Sequence, residues 1–290
     1  MAVSASSLTL QLATFRSQAL GALFDSSSSA TDFGSIFQAA SDSMAGSPAA
    51  TTGKNGLSAT GRNTSLYDPE SAYDMMSLIN RKDVDYKAQY AELSAMKSDV
   101  AGLASAAQGL GTITTGSGDA DIQSRLQAFV DQYNAWDKRF DADVAKGGLL
   151  EGMQAAQVAR WELEQSVSNR FNGAAEGFNG LADLGIAIDP ATGQASLDPA
   201  KLRAALAGNR QGAVDTLQEF AAGFAQSANL LNSSGNFIPN QLSNLDSAIH
   251  YIDANISSWR SEFGTGNAAA PNAQTAAALA AYEDANAITA

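Results

Sequence analysis

The sequence predicts a mainly α protein, an elongated helical bundle or coiled coil carrying one small β-hairpin. Two apolar rows point to the helices. Leu93, Met96, Val100, Leu103, Ala107 and Leu110 recur three and four residues apart, as do Leu242, Leu245, Ile249, Ile252, Ile256, Trp259 and Phe263. The stretch "GIAIDPATGQASLD", residues 185–198, alternates, turns at Pro190 and Gly193, and alternates again, which predicts the hairpin. Composition agrees: 45% of the 290 residues are hydrophobic but only 8% aromatic, with much alanine, so apolar area is buried along seams.

Taken in order, the first 24 residues place Leu8, Leu10, Leu12, Phe15, Leu20, Leu23 and Phe24 among Gln11, Arg16 and Gln18. They read as a short amphipathic helix, without the basic start or the apolar run of a cleaved signal. The Ser/Ala/Gly-rich stretch that follows carries too little apolar area to offset its ordering entropy. Residues 1–68 are therefore expected to be a short helix plus a disordered leader.

Asp68-Pro69 then opens a long helix, with Asp68 as N-cap and Pro69 at the first helical position. It ends at "GTITTGSGDAD". A second helix follows, with Ile122, Leu126, Phe129, Val130, Tyr133 and Trp136 on one face, and a third runs from about Leu150 to Phe171. After the hairpin, Asp198-Pro199 starts another helix through Leu202 and Leu206 to Gly208-Asn209. Helices over about 211–231 and 238–263 complete a core expected to span 69–265. The Ala-rich tail, 266–290, is expected to be loosely ordered.

Charge excludes two classes of partner. The formal net charge is −13, the isoelectric point is near 4.4, and no Lys/Arg cluster interrupts the acidity. Neither nucleic acid nor insertion into a membrane is expected. With no cysteine, disulfides, thiolate metal sites and a Cys nucleophile are excluded.

No residue pattern spells a reaction. His250 has no nucleophile or oriented carboxylate beside it in sequence and reads as a solvated helix residue. Asp119-x-Asp121 begins like a calcium loop but has Ser124 and Val130 where Gly and Glu are needed. Asp141-x-Asp143 and Glu162-x-Glu164 read as solvated charge. No catalytic residue, cofactor or metal is expected.

The pattern therefore serves docking, and two sets of residues are the candidates. The seam or partner-interface set is Leu93, Met96, Val100, Leu103, Leu110, Phe129, Val130, Tyr133, Leu242, Leu245, Ile249, Ile252, Ile256, Trp259 and Phe263. The framework set, which shapes the hairpin and caps the next helix, is Gly185, Ile186, Gly193, Leu197, Asp198 and Leu202. Spacing alone leaves open whether the seams close within one chain or between chains.

The segment "LADLGIAIDPATGQASLDPAKLRAALAGNRQGAVDTLQEF" resembles the C-terminal region of the flagellar filament-capping, or hook-associated protein 2, family. The resemblance lies in Leu181, Leu184, Gly185, Ile186, Gly193, Leu197, Asp198, Lys201, Leu202, Ala205, Leu206 and Val214. "FVDQYNAW" is similar to that family's Phe-Val-x-x-Tyr-Asn helix through Phe129, Val130, Tyr133 and Asn134. "GNFIPNQLSNLDSAIHYIDANI" is similar to its later coiled-coil segment.

The resemblance implies a structural, non-enzymatic protein of the bacterial flagellum, cap-like or hook-filament-junction-like. It implies homo-oligomerisation, contacts with flagellin or other axial subunits, and export by the flagellar type III route without signal cleavage. The large β-rich domains the family carries before the Phe-Val-x-x-Tyr-Asn helix are replaced here by "GTITTGSGDAD", so the chain resembles a reduced relative. The alternative is a cytosolic helical adaptor or export regulator that binds axial proteins.

Overall fold

The computed structural model describes residues 56–168 and 177–289. The expected N-terminal helix, the leader up to residue 55 and the end of the third helix at Phe171 lie outside these residues. The described elements are α1 (Pro69–Leu110), α2 (Asp119–Val144), α3 (Gln154–Ser168), β1 (Ile186–Ile188), β2 (Ala195–Leu197), α4 (Pro199–Gly208), α5 (Arg210–Asn232), α6 (Phe237–Phe263) and α7 (Ala273–Thr289). The fold is mainly α with one small antiparallel hairpin.

The described residues divide into two compact units, 56–92 with 242–289, and 93–168 with 177–241. Heptad spacing marks which residues are buried but carries no information about where one core stops and the next begins.

The first unit is built on a seam. Asp68 accepts the Ser71 N–H at 3.0 Å, capping α1 as its sequence requires. Met76 and Ile79 of α1 then pack with Ile252, Trp259 and Phe263 of α6, and Met75, Tyr86, Tyr251 and Ile256 flank them. Polar groups fasten the edges. Asn80 is 9% exposed and donates to the carbonyls of Thr265 at 2.9 Å and Asn267 at 2.8 Å. Its own oxygen accepts from Arg260 at 3.1 Å.

Two expectations are corrected here. The leader was expected to stay disordered to residue 68, yet residues 57–63 form a turn in which Leu57 bridges Asn63, and Arg62 bridges Gly264. Asn63 is buried and its side chain donates to the Glu262 carbonyl at 2.8 Å. Composition arguments count apolar area and miss a segment held by amides. The tail, expected to be loose, forms α7 from Ala273. Alanine is the strongest helix former, and Ala278 and Thr275 are buried. Tyr282 also meets Tyr90 edge to face, with centroids 5.7 Å apart.

The second unit has a bulky core. Phe129 of α2 stands edge-on to Phe220 and Phe224 of α5 at 5.3 and 5.1 Å. α3 packs along α5, and α2 lies against β2. The hairpin pairs Ile186 with Leu197, Ala187 with Ser196, and Ile188 with Ala195. A short 3-10 turn, Leu181–Leu184, precedes it and ends at Gly185, whose φ of 92° is left-handed. A side chain there would stand 2.7 Å from the Asp198 carbonyl, so glycine is required twice over. Asp198 caps α4 by accepting from Ala200 and Lys201 at 2.8 and 3.1 Å.

Candidate interaction surface

The hairpin is held by the helix that precedes it in sequence. Asn134 of α2 treats the β2 edge as a strand would. Its amide donates to the Ala195 carbonyl at 2.8 Å, and its oxygen accepts the Ala195 N–H at 2.7 Å. One turn later Asp137, 3% exposed, accepts from Gln194 Nε2 at 2.9 Å. Arg160 of α3 reaches Asp137 at 3.3 Å and Asp141 at 2.7 Å. Gly193 lies over the same carboxylate, and an added side-chain carbon would come within 3.3 Å of it. The clamp turns a three-residue-strand hairpin, too small to stand alone, into a fixed part of the unit.

Beside the clamp, burial pushes the Tyr133 phenol well above its usual value, and the nearby carboxylates of Asp137 and Glu164 add to it. Tyr133 is 1% exposed and stays neutral.

A second fastening holds the loop between α1 and α2. Arg210, at the start of α5, donates to the Thr115 carbonyl at 2.7 Å, to the Ser117 carbonyl, and to Asp119 at 2.5 Å. From the same helix, Gln218 donates to the Ile113 carbonyl at 2.7 Å and Asn232 to the Lys97 carbonyl at 2.9 Å.

The seam residues lie inside. Leu93, Met96, Val100, Leu103, Leu110, Phe129, Val130 and Tyr133 are buried in the second unit, and Leu242, Leu245, Ile249, Ile252, Trp259 and Phe263 in the first. Ile256 is partly buried against the first unit's core. Within one chain, then, both heptad rows are already covered. Of the framework residues, Ile186 and Leu202 are buried, and Gly185, Gly193 and Asp198 hold the turns and cap described above. Leu197 is half-buried on β2.

Outward, the groups that could do chemistry are dispersed. His250 is exposed and its Nδ1 contacts the Asp246 carbonyl and carboxylate of its own helix. Among the described residues no three His, Cys, Asp or Glu gather in a metal-holding group. Asp141 is exposed and paired with Arg160, but Asp143, expected to be solvated, is 4% exposed. It sits where the chain folds back, its carbonyl accepting the Leu150 N–H at 2.8 Å. No described helix is long and apolar enough to cross a membrane.

What the surface does offer is apolar area. Leu230 is 53% exposed, Phe237 42% and Trp161 59%. Leu230 borders a shallow groove of about 590 Å³ lined by Gln108 of α1, by Ala222, Ala225, Gln226 and Asn229 of α5, and by Ser233. Heptad reading missed this face because its residues are small or amide-bearing and fall off both seams. The one sequence signal for it was an unusually long stretch without charge.

The family model described as the flagellar hook-associated protein 2 C-terminus matches residues 103–268, more than half of the chain. No curated protein and no solved structure matches it.

Proposed function

The chain belongs to the flagellar hook-associated protein 2 family, and from that premise we propose that it is a cap-like or hook-filament-junction-like subunit of the flagellar axial structure. The family assignment gives a cap-type structural role at the flagellum. The finer reading is that this chain self-associates, contacts flagellin or another axial subunit, and leaves the cell by the flagellar type III route without signal cleavage.

The match over residues 103–268 carries the reading, because it takes in α2, the clamped hairpin, α4, α5 and α6. Burial of the heptad rows bears on the mechanism. A partner would meet the outer faces of α1, α3 and α5 rather than the seams, so the chain acts as a preformed block and not as a zipper waiting for a second strand. No step of chemistry is assigned to it.

The test is fractionation of a motile culture with and without a working flagellar export apparatus. The expected outcome is the protein in the filament or supernatant fraction only when export works, and altered filament length or flagellin loss when its gene is deleted. Retention in the cytosol with unchanged filaments would overturn the reading in favour of the adaptor or export regulator.

A further inference from the structure

Asparagine amides act as pegs in both units. Asn63 binds the Glu262 carbonyl, Asn80 those of Thr265 and Asn267, and Asn134 both backbone polar groups of Ala195. Asn179 is different. It is exposed and lies outside any helix or strand, and its side-chain amide meets no hydrogen-bond partner among the described residues. Its backbone N–H donates to the Asp183 carboxylate at 2.8 Å.

The next residue is Gly180. Its φ of 152°, just ahead of the 3-10 turn, lies where glycine is favoured. The fold therefore places, beside an unfastened asparagine amide, the residue that least obstructs approach to its own nitrogen. We propose that Asn179-Gly180 is a self-modification site, at which the asparagine converts through a succinimide to isoaspartate without an enzyme.

The step balances with water alone. The Gly180 nitrogen bonds to the side-chain carbonyl carbon of Asn179, and that carbon's bond to Nδ2 breaks. The amide nitrogen leaves as ammonia, taking with it the proton from Gly180. Water then opens the five-membered ring at either carbonyl. Opening at the backbone carbonyl leaves isoaspartate, with the main chain running through the former side chain; opening at the side-chain carbonyl leaves aspartate. Groups on so short a tether need only the right rotamer to meet.

The place of the site in the fold gives the product an effect. The Gly180 carbonyl accepts the Asp183 N–H at 3.1 Å, and Leu181 and Leu184 of the turn are buried. Isoaspartate inserts one methylene into the backbone ahead of this turn and sets a new carboxylate near Asp183. The bond from residue 179 to Asp183 is lost, and the turn loosens. β2 stays in place, because Asn134 holds it from the side of α2. The inference is independent of the flagellar reading and holds equally for a cytosolic chain.

The full chain is aged for several weeks at mildly alkaline pH and digested, and the peptide spanning residues 171–201 is read by mass spectrometry. Electron-transfer fragmentation locates the change and separates isoaspartate from aspartate. The expected result is replacement of the amide NH2 by OH at residue 179, with isoaspartate exceeding aspartate. In Asn179→Gln the ring would need six members, and conversion at 179 should fall about tenfold. The Asn172-Gly173 pair lies outside the described residues, and Asn172→Ser removes its contribution. In that background, hydrogen exchange after ageing should rise severalfold at 181–185 and stay unchanged at Ala195.

The aged Asn172→Ser chain decides the matter even if Asn179→Gln fails to fold. An amide still intact at 179 would overturn the proposal. So would aspartate without isoaspartate, which means direct hydrolysis, or unchanged exchange at 181–185 in a fully converted chain.

Discussion

The two units solve the same problem, closing helices over a modest apolar supply, by different means. The second fills its centre with rings: Phe129, Tyr133, Phe140, Phe220 and Phe224 are all nearly inaccessible. The first has Met76, Ile79, Ile252, Trp259 and Phe263 at its core and completes the job with polar pegs, among them Asn63, Asn80 and Lys87.

Lys87 is held between Asp83 at 3.0 Å and Asp253 at 2.8 Å. Burial alone would lower its ammonium, but the bonds to Asp253 and Asp83 outweigh that and hold it above the usual value. Directional bonds to half-buried charges such as Lys87 should make the stability of the first unit depend on pH.

The comparison can be broken most forcefully at Phe129. Phe129→Ala removes the ring that meets both Phe220 and Phe224, and should cost about 3–5 kcal/mol in the second unit. Denaturant unfolding should show that unit's transition moving while the first unit's stays in place. A common shift of both would mean that the units do not unfold separately.

Polar fastening in each unit gives the next effect. Asn134→Ala leaves the Ala195 N–H and carbonyl without their partners, and Asn80→Ala does the same to the carbonyls of Thr265 and Asn267. Each should cost about 1–3 kcal/mol, the penalty for stranded polar groups. Hydrogen exchange should rise at residues 186–197 in the first variant and at 264–267 in the second, without crossover.

Arg210→Ala should come lower, at about 1–2 kcal/mol, because it removes hydrogen bonds from a partly exposed charged donor. Its signature is proteolytic nicking within residues 112–118, which lie under the Arg210 fork. Unchanged cleavage there would show that the loop is held by its own turn.

The smallest effect concerns pH in the first unit. Burial raises the Asp85 carboxyl above 3.8 despite nearby Lys82 and Arg81. The folded state then holds this proton more tightly than the unfolded chain. The contribution of Asp85 to stability is therefore fully present below the unfolded value and is lost as pH rises through the folded one. Asp85→Asn should stabilise the first unit at neutral pH and flatten its stability profile through the weakly acidic range, leaving the second unit's profile unchanged. A destabilised variant would show that the carboxylate makes a net favourable contact.

These expectations follow from side-chain partners, and the sequence revealed the partners unevenly. Both heptad rows, the Asp68 and Asp198 caps and the hairpin turn were legible because each depends on residues within a few positions of one another. The clamp was half legible. Asn134 lay in a motif resembling the family's, but Asp137, Arg160 and Gln194 come from three separate segments and only the fold brings them together. The ordered turn at 57–63 escaped because the bonds that tie it to the rest of its unit, from Asn63 to Glu262 and between Arg62 and Gly264, run far along the chain.

By itself, then, the sequence determined the helices, their apolar sides, the hairpin and the acidity, all of which follow from local stereochemistry, period and composition. Only the tertiary structure decided which segments cover the rows within one chain, how the described residues divide into two units, and that a groove with no charged lining residue is left facing outward. Such decisions depend on which faces meet. A helix declares its apolar side by its period, but the partner that covers that side is chosen by packing among segments far apart in the chain.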